Sequence, residues 1–488
     1  MKYLALTGAT GLLGSYLLKE LLQRDIPVLA LVRASRRESP RQRMEGILRR
    51  FENRLGRPLP RPVVMEMDLH KPFSGLEESQ RQWIRQHVDT VLHNAASLVF
   101  RRDEQNEPYR SNVEGTRHVL DWCREAGIRR FFYVSTAYVC GLREGKIAET
   151  ELDEGQTWGN DYEKSKVEAE KLVRQASFEE GLTVFRPAII VGDRWDGYTP
   201  TFHGFYTPLK ILLPFLEPGK IDLLQGRMLA SLLGFNPEDG KNFVPVDWVA
   251  KVMVQVLQNR AWHGKTYHLT AAERVSIAEM CQVFYEGIQR FSRPSTQTGK
   301  TLRTDWETLW RIFVQQMDVY RTYWRNDPEF DMTHTLSIAR TFPPPRMTRE
   351  ILLRLVRYAI RSGCGWPLPP PVSMEREMET FWKKNAEVEW KGWERGEEES
   401  PEPFSFGLRI SGKGGGDWTF STRRCGKIFV RWGLPVEDSP LLTMNSALFH
   451  RLKTLPRDYL FWNTSWERDC EHRKNQALAV LRNIVEEK

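Results

Sequence analysis

The chain has 488 residues, 41% of them hydrophobic and 27% charged. This balance is typical of globular proteins, and the length suits two or three domains. The 71 basic and 63 acidic residues leave a net charge of +8, which is weak evidence for nucleic-acid binding because attraction to an anionic cofactor or acyl carrier explains it equally well.

We expect no membrane span, because no run of about 18 apolar residues occurs. We also expect no signal peptide, because MKYLALTGATGLLG is typical of a strand followed by a glycine turn. The six cysteines are scattered and form no CxxC pair, which favours free thiols in a reducing compartment over a zinc site. The sequence therefore predicts a cytoplasmic protein without a bound metal.

From residue 1 to about 270, short apolar runs rich in β-formers alternate with amphipathic helical stretches. Near-continuous apolar strands are typical of a parallel sheet that is covered on both faces. The repeated alternation predicts an α/β fold, a Rossmann-type doubly wound parallel sheet. The predicted strands are residues 3–8, 27–33, 63–69, 90–96, 130–136 and 182–190.

The sequence TGATGLLG follows the first strand and opens a helix. Gly8 permits a tight turn, Gly11 lets the backbone approach a pyrophosphate, and Gly14 lets the helix pack on the sheet. The helix N-terminus then faces the negative charge of the phosphates. Because GxxGxxG stands between a strand and a helix, it predicts a dinucleotide site, to which the same turn would contribute Thr10, Leu12 and Leu13.

The second strand ends in LVRASRRES, where an NAD-preferring site usually places an acidic residue on the ribose hydroxyls. Basic residues and a serine stand there instead, and no acid follows until Glu38. The planar fork of arginine suits a 2′-phosphate. The sequence favours NADP(H) over NAD, with Arg33 and Arg36 as phosphate ligands; the alternative is a solvated basic loop.

Tyr162 and Lys166 stand four residues apart, so both project from one face of a predicted helix. A nearby positive charge favours tyrosinate, so we expect Lys166 to lower the pKa of Tyr162 from about 10 toward the range of an effective general acid. Thr136, at the end of the fifth strand, supplies a hydroxyl that would polarise a substrate carbonyl. A YxxxK spacing alone is common by chance, but together with the glycine turn it predicts a proton-transfer site.

The order TGxxGxxG, HNAA, SNVEGT, VSTAYVCG, YxxxK and FRPAIIVGD resembles the extended short-chain dehydrogenase/reductases. It is most similar to their male-sterility-type NAD-binding branch, which holds fatty acyl-CoA reductases and the thioester-reductase domains of carboxylic acid reductases. The resemblance covers about residues 1–270. It implies Tyr162 as proton donor, Lys166 as its activator and nicotinamide-ribose ligand, and Thr136 as the hydroxyl partner.

The same resemblance implies further site positions. Asn112 matches the helix asparagine of the family, although a cap or a buried polar tie explains it equally well. The expected cofactor contacts include Tyr162 and Lys166, in addition to their catalytic roles. The others are Asp68 and Leu69 at the adenine, Asn94, Ala95 and Ala96 along the cofactor channel, and Pro187, Ala188 and Ile189 beside the nicotinamide.

The reaction that the resemblance implies is hydride transfer to the carbonyl carbon of an acyl thioester, on CoA or an acyl carrier protein, or of another hydrophobic carbonyl compound. Two alternatives stay open. A nucleotide-sugar epimerase or dehydratase of the same superfamily commonly has an acid after the second strand, where this chain has arginines. A non-catalytic dinucleotide-binding protein often lacks the tyrosine. Peripheral membrane contact and oligomerisation are also open.

Beyond about residue 275 the pattern changes. We predict an NADP-binding domain with substrate-binding segments over 1–275, a helical and Pro-rich region over 276–384, an exposed linker over 385–403, and a small α+β domain over 404–488. The last range faintly resembles sterol-carrier-type lipid-binding modules; a structural or oligomerising domain is the alternative. Aromatic residues that fit either a substrate wall or a packed core are Trp306, Trp310, Phe313, Tyr320, Trp324, Trp418, Trp432, Trp462 and Trp466.

Overall fold

The computed structural model describes residues 2–213, 226–292, 311, 315, 322–340 and 342–365, several strands between 387 and 467, and the single helical positions 478 and 481. The aromatic residues Trp306, Trp310, Phe313, Tyr320 and Trp462 lie outside these residues.

The first 365 residues contain thirteen strands among the described positions. They are β1 (Tyr3–Thr7), β2 (Val28–Val32), β3 (Val63–Glu66), β4 (Val88–His93), β5 (Arg130–Val134), β6 (Lys146–Ile147), β7 (Leu182–Pro187), β8 (Ile189–Val191), β9 (Gly240–Lys241), β10 (Phe243–Pro245), β11 (Thr266–Leu269), β12 (Val275–Ser276) and β13 (Glu329–Phe330).

The helices of the same range follow the predicted alternation. They are α1 (Leu12–Leu22), α2 (Pro40–Leu55), α3 (Glu78–His87), α4 (Gly115–Ala126), α5 (Asp161–Gln175), α6 (Tyr206–Leu212), α7 (Gly226–Leu232), α8 (Val246–Gln258), α9 (Ile277–Phe291), α10 (Thr333–Ile338) and α11 (Arg349–Arg361). Short 3-10 turns occupy Pro72–Gly75, Ala137–Cys140, Arg260–Trp262 and Gly363–Gly365, and a π-helical turn, Arg110–Glu114, precedes α4.

The described residues between 2 and 365 are called the first unit below. A seven-stranded parallel sheet forms its centre, in the order β11–β7–β5–β4–β1–β2–β3. Successive side chains of a strand point to opposite faces. Leu4 and Leu6 of β1 accordingly join an apolar cluster with α1 and α8, while Tyr3 and Ala5 join a second cluster with α4. The sheet is therefore covered on both faces, which confirms the predicted doubly wound α/β fold.

Two details of the sheet differ from the sequence prediction. The range 182–190 is not one strand: β7 joins the central sheet, whereas β8 pairs with β10. The sequence did not indicate β11, because Thr266 and His268 interrupt its short apolar pattern. Burial of all four β11 residues beside β7 makes it the edge strand.

Residues 322–365 pack against elements of the first 275 residues. β13 pairs with β6, and Asp327 forms a buried ion pair with Lys241. The indole Nε1 of Trp248, in α8, donates to the carbonyl of Phe342 at 3.0 Å. Part of the range predicted as a helical and Pro-rich region therefore completes the first unit.

A six-stranded sheet lies in the C-terminal part of the chain. Its strands are β14 (Glu387–Glu389), β15 (Ser405–Ser411), β16 (Gly416–Thr422), β17 (Lys427–Trp432), β18 (Leu441–Asn445) and β19 (Ser465–Glu467), in the order β14–β17–β16–β15–β18–β19. β15 and β16 are antiparallel. β14 falls inside the predicted linker, and the division of the chain at 275, 384 and 403 stays a prediction.

Three features of the described residues bear on membranes, thiols and metals. Among them we find no helix with the length and apolar character needed to cross a bilayer. Cys123, Cys140, Cys281 and Cys364 carry free thiols. The described part of the chain brings together no group of three or more His, Cys, Asp or Glu side chains that could hold a metal ion.

Candidate active site

A cavity of about 680 Å³ opens at the carboxyl ends of the central strands. It lies where the strand order reverses between β1 and β4, the crevice that ligands of open α/β sheets occupy. The sequence-predicted residues that line it are Gly8, Thr10, Gly11, Leu12, Leu13, Arg33, Asp68, Leu69, Asn94, Ala95, Ala96, Thr136, Tyr162, Lys166, Pro187, Ala188 and Ile189. Gly14, Arg36 and Asn112 are not among the lining residues.

The glycine turn fits a pyrophosphate. Gly8 has φ +68°, and a Cβ there would stand 2.8 Å from the backbone nitrogen of Ala95. A Cβ on Gly14 would stand 2.0 Å from the carbonyl oxygen of Gly8, so this residue permits the close approach of α1 to the turn. Gly11 is exposed and lines the cavity, and the nearest atom to its hypothetical Cβ is the Gly8 oxygen at 3.4 Å. The missing side chain thus leaves room for a phosphate next to the α1 N-terminus.

Two arginines lie together at the far end of the cavity. Arg33 follows β2, and Arg43 reaches it from α2, donating from Nη1 to the Arg33 carbonyl at 2.5 Å. Burial, and then the neighbouring charge of Arg33, lower the pKa of Arg43. Two like charges held close together favour an anion at this end.

Arg36 does not share this position, contrary to the sequence prediction. Its side chain is exposed and does not line the cavity. Ser39 caps α2 by accepting from the Gln42 backbone nitrogen, and Pro40 begins the helix. Because α2 begins at Pro40, Arg43 lies in its first turn and contacts Arg33 at the end of β2. Arg36 is nearer to Arg33 in the sequence, so the sequence alone did not indicate Arg43.

Tyr162 lies near the start of α5, with its phenol beside Thr136. Asn160 caps the helix by accepting from the Glu163 backbone nitrogen at 2.9 Å. Burial raises the pKa of the Tyr162 phenol, while a hydrogen bond with the Thr136 hydroxyl acts in the opposite direction. The phenol therefore keeps its proton at neutral pH.

The expected effect of Lys166 on Tyr162 differs from what the structure shows. Lys166 is 2% exposed, and its Nζ donates to the Tyr133 hydroxyl and the Val134 carbonyl, both at 2.8 Å. Burial lowers the pKa of Lys166 to about 7, partly opposed by the charge of Glu170. The prediction that Lys166 lowers the Tyr162 pKa was wrong for this arrangement, because desolvation of the phenol dominates.

A buried polar network lies beneath the lysine. The His93 ring bonds Thr7 Oγ1 at 2.8 Å and Thr116 Oγ1 at 3.1 Å. Thr7 Oγ1 also accepts from the backbone nitrogens of Asn94 and Ala95, both at 3.0 Å. Burial, and then the nearby charge of Lys166, lower the pKa of His93 to about 3, so the ring is neutral. The network fixes the cavity wall at Asn94 and Ala95.

Asn112 is a buried polar tie. Its Oδ1 accepts from the Ser97 backbone nitrogen at 2.7 Å, and its Nδ2 donates to the Ser97 carbonyl and Ser165 Oγ. These bonds join the loop after β4 to α5. They support the structural alternative that the sequence left open, and they leave the side chain out of the cavity.

Three aromatic residues line the cavity near the phenol and were not predicted as site residues: Phe100, Tyr138 and Tyr323. The Phe100 ring stacks on that of Tyr162, with centroids 5.8 Å apart. Phe100 and Tyr138 lie within a few residues of the HNAA and VST motifs, a local signal that could have found them. Tyr323 is far from every motif in the sequence.

Residues 6–253 match the model of the Male sterility protein family of NAD-binding domains. The chain belongs to this family. Its N-terminal half is thus an NAD-binding domain of the extended short-chain dehydrogenase/reductase type, a class of NAD(P)-dependent oxidoreductases, and the predicted resemblance is confirmed.

Individual relatives extend the comparison. The chain is 29% identical over 280 residues to a nonribosomal peptide synthetase of Aspergillus flavus. This alignment covers 54% of this chain and 26% of that protein. It is 26% identical over 387 residues to the L-2-aminoadipate reductase large subunit of Eremothecium gossypii. This alignment covers 72% of this chain and 27% of that protein. The chain thus spans about a quarter of the length of these relatives.

Two solved structures share the fold. The terminal R domain from the myxalamid PKS-NRPS biosynthetic pathway superposes with a TM-score of 0.57 at 24% identity, covering 76% of this chain and 93% of that chain. The reductase domain of a nonribosomal peptide synthetase from Mycobacterium tuberculosis gives 0.53 at 20% identity, covering 74% and 92%.

Proposed function

We propose that this chain uses NADPH to reduce the carbonyl carbon of an acyl thioester, carried on CoA or a carrier protein, or of a similar hydrophobic compound. The observation that carries the proposal is the convergence of Tyr162, Thr136 and Lys166 on the cavity that the glycine turn opens. Similarity to an aminoadipate reductase and to peptide-synthetase reductase domains supports a thioester as substrate.

Each side chain has a role that its surroundings support. The nicotinamide would supply the hydride. Tyr162 would donate its proton to the carbonyl oxygen from its place in the cavity wall. Thr136 would orient both the phenol and the substrate oxygen. Lys166 would bind the ribose next to the nicotinamide from its position on the same face of α5.

NADP(H) is the proposed form of the cofactor. Arg33 and Arg43 present two guanidinium groups at the end of the cavity where β2 ends. A 2′-phosphate would bind between them, because arginine pairs well with phosphate oxygens.

The test is a spectrophotometric assay of NADPH oxidation with hexanoyl-CoA, comparing the wild-type chain with Tyr162→Phe. We expect turnover in the wild type and a loss of at least about a hundredfold in kcat in the variant, the size of a lost general acid. Thermal unfolding should stay unchanged, because the substitution keeps the ring and its stacking on Phe100.

Two results would contradict the proposal. Undiminished turnover by Tyr162→Phe would remove the phenol from the chemistry. The nucleotide-sugar alternative would be favoured if the wild-type protein retained NAD tightly and failed to oxidise NADPH in the presence of any acyl thioester or aldehyde.

A further inference from the structure

Tyr323 lines the cavity although it lies outside the residues that match the family. It belongs to residues 322–330, a segment held against the first unit. Its ring centroid is 5.2 Å from that of Tyr138 and 5.1 Å from that of Phe100. Since Phe100 stacks on Tyr162, Tyr323 is one ring removed from the proposed proton donor.

A buried ion pair holds this segment in place. Lys241 is fully buried and pairs with the carboxylate of Asp327. The Lys241 Nζ also donates to the carbonyls of Tyr323, at 2.6 Å, and Arg325, at 3.0 Å. Buried charges are costly unless all their partners are present, so this set of bonds strongly favours one backbone position for Tyr323.

Further bonds keep the segment in register with the cavity wall. The Asp327 carboxylate accepts from the Asn242 backbone nitrogen at 2.6 Å and from the Tyr138 hydroxyl at 2.8 Å. The Arg325 guanidinium donates to the carbonyls of Gly141 and Leu142, at 2.8 and 3.0 Å. The wall at Tyr138 and Tyr323 is therefore a rigid element.

The Tyr138 hydroxyl is occupied by a bond within the protein, because it donates to the Asp327 carboxylate at 2.8 Å. Phe100 has no polar side-chain atom. Ring carbons are therefore the main surface that Tyr138, Tyr323 and Phe100 offer to a ligand. Such a surface suits an aliphatic chain, whereas the amide-rich arm of a CoA or carrier thioester needs polar partners.

From this geometry we propose that Tyr323 is a specificity-determining residue whose ring contacts the acyl chain of the substrate next to the reacting carbonyl. The inference rests on the proposed thioester reduction and names the part of the substrate that this wall receives. It also assigns a function in the site to a segment beyond residue 253, where the family match ends.

The experiment compares Tyr323→Ala and Tyr323→Phe with the wild type, using acetyl-CoA and hexanoyl-CoA as substrates. For Tyr323→Ala we expect the KM for hexanoyl-CoA to rise about tenfold, the order of effect for a lost aromatic contact. The KM for acetyl-CoA should stay unchanged because its acyl group is too short to need the ring. Tyr323→Phe keeps the ring and should behave as the wild type with both substrates.

Two further measurements separate contact from folding. NADPH affinity, measured by nicotinamide fluorescence, should be the same in all three proteins. Tyr323→Ala should still unfold cooperatively, at a lower midpoint than the wild type, because it loses the ring contacts with Phe100 and Tyr138. If Tyr323→Ala does not fold, Tyr323→Leu replaces it, with the expectation of a smaller rise in KM for hexanoyl-CoA alone.

The outcomes distinguish this inference from the proposed function. The inference would be overturned if a folded Tyr323→Ala protein had an unchanged KM for hexanoyl-CoA, or if its KM rose equally for both substrates. In either case, reduction of hexanoyl-CoA by the wild type would still uphold the proposed function. Failure of the wild-type protein to reduce any acyl thioester would overturn the proposed function itself.

Discussion

Lys166 is a buried amine whose closest partners are neutral oxygens. Its Nζ lies 2.8 Å from the hydroxyl of Tyr133 and 2.8 Å from the carbonyl of Val134. Because burial lowers its pKa to about 7, small changes around the amine alter its charge at neutral pH. We therefore expect Tyr133 to act as a positioning residue through Lys166.

Tyr133→Phe should shift the pH dependence of NADPH binding toward lower pH. Removing the hydroxyl deprives the ammonium of an acceptor, so the charged form of Lys166 is less stable and its pKa falls below about 7. Binding that needs the charge is lost as the pH rises through this pKa. NADPH titrations across the neutral range, followed by nicotinamide fluorescence, measure the shift.

The matched control is Tyr267→Phe. Tyr267 is also a buried tyrosine, but its hydroxyl donates to the carbonyl of Trp262 and not to the Lys166 network. Its pH profile should match the wild type. A Tyr133→Phe profile that coincides with that of the control would show that the hydroxyl does not influence Lys166.

The pair Arg43→Ala and Arg36→Ala tests the phosphate site. Arg43 lines the cavity beside Arg33, whereas Arg36 is exposed outside it. We expect Arg43→Ala to weaken NADPH binding by about tenfold or more, the loss of one charge-assisted phosphate contact, and to leave NADH binding unchanged. Arg36→Ala should change neither. Equal effects of the two substitutions on NADPH affinity would rule out the assignment of Arg43.

At the scale of secondary-structure elements, the turn between β1 and α1 contains two glycines with different roles, one in the stability of the fold and one in ligand binding. Gly14 faces the backbone of Gly8, and Gly11 faces the cavity. One added methyl group therefore has different consequences at two positions of the same turn.

Gly14→Ala should destabilise the protein by about 2 kcal/mol or more, because its Cβ would force α1 away from the turn. Gly11→Ala should keep the wild-type unfolding midpoint, since its φ of −76° suits alanine, but should lower NADPH affinity by at least about tenfold through lost room for a phosphate. Thermal unfolding and NADPH titration of both variants check this. A Gly14→Ala protein that melts like the wild type would refute the packing role.

For the chain as a whole, the central question is where the first unit ends. α11 buries Leu352, Leu355 and Val356, and Val356 lies so close to Gly287 of α9 that a Cβ there would clash. Asp327 neutralises the buried Lys241. Residues well beyond 275 therefore belong to the folded unit around the cavity.

Two truncated chains test this boundary. A chain that ends at residue 365 should fold cooperatively and bind NADPH, because it keeps α9, α11 and the Lys241–Asp327 pair. A chain that ends at residue 275 should be insoluble or unfolded, since breaking a buried ion pair costs about 3–5 kcal/mol and the apolar surface under α9 is exposed. Circular dichroism melts and NADPH titrations compare the two. Equal folding and binding by both chains would contradict the boundary.

Local patterns in the sequence were enough for much of the fold and the site. Apolar runs define the strands of a covered parallel sheet, and the glycine spacing of TGATGLLG requires a close strand–helix turn. Tyr162 and Lys166 share a helix face because four residues make about one turn. These features depend on residues within one element, so they can be read without knowledge of the fold.

The remaining features depend on contacts between distant parts of the chain. The placement of Arg43 beside Arg33, the bond from Lys166 to Tyr133, and the position of Tyr323 against Phe100 each join residues from different elements. The raised pKa of Tyr162 likewise follows from burial, not from its distance to Lys166 in the sequence. Spacing along the chain specifies which side chains share an element, but packing specifies which elements meet and which groups lose water.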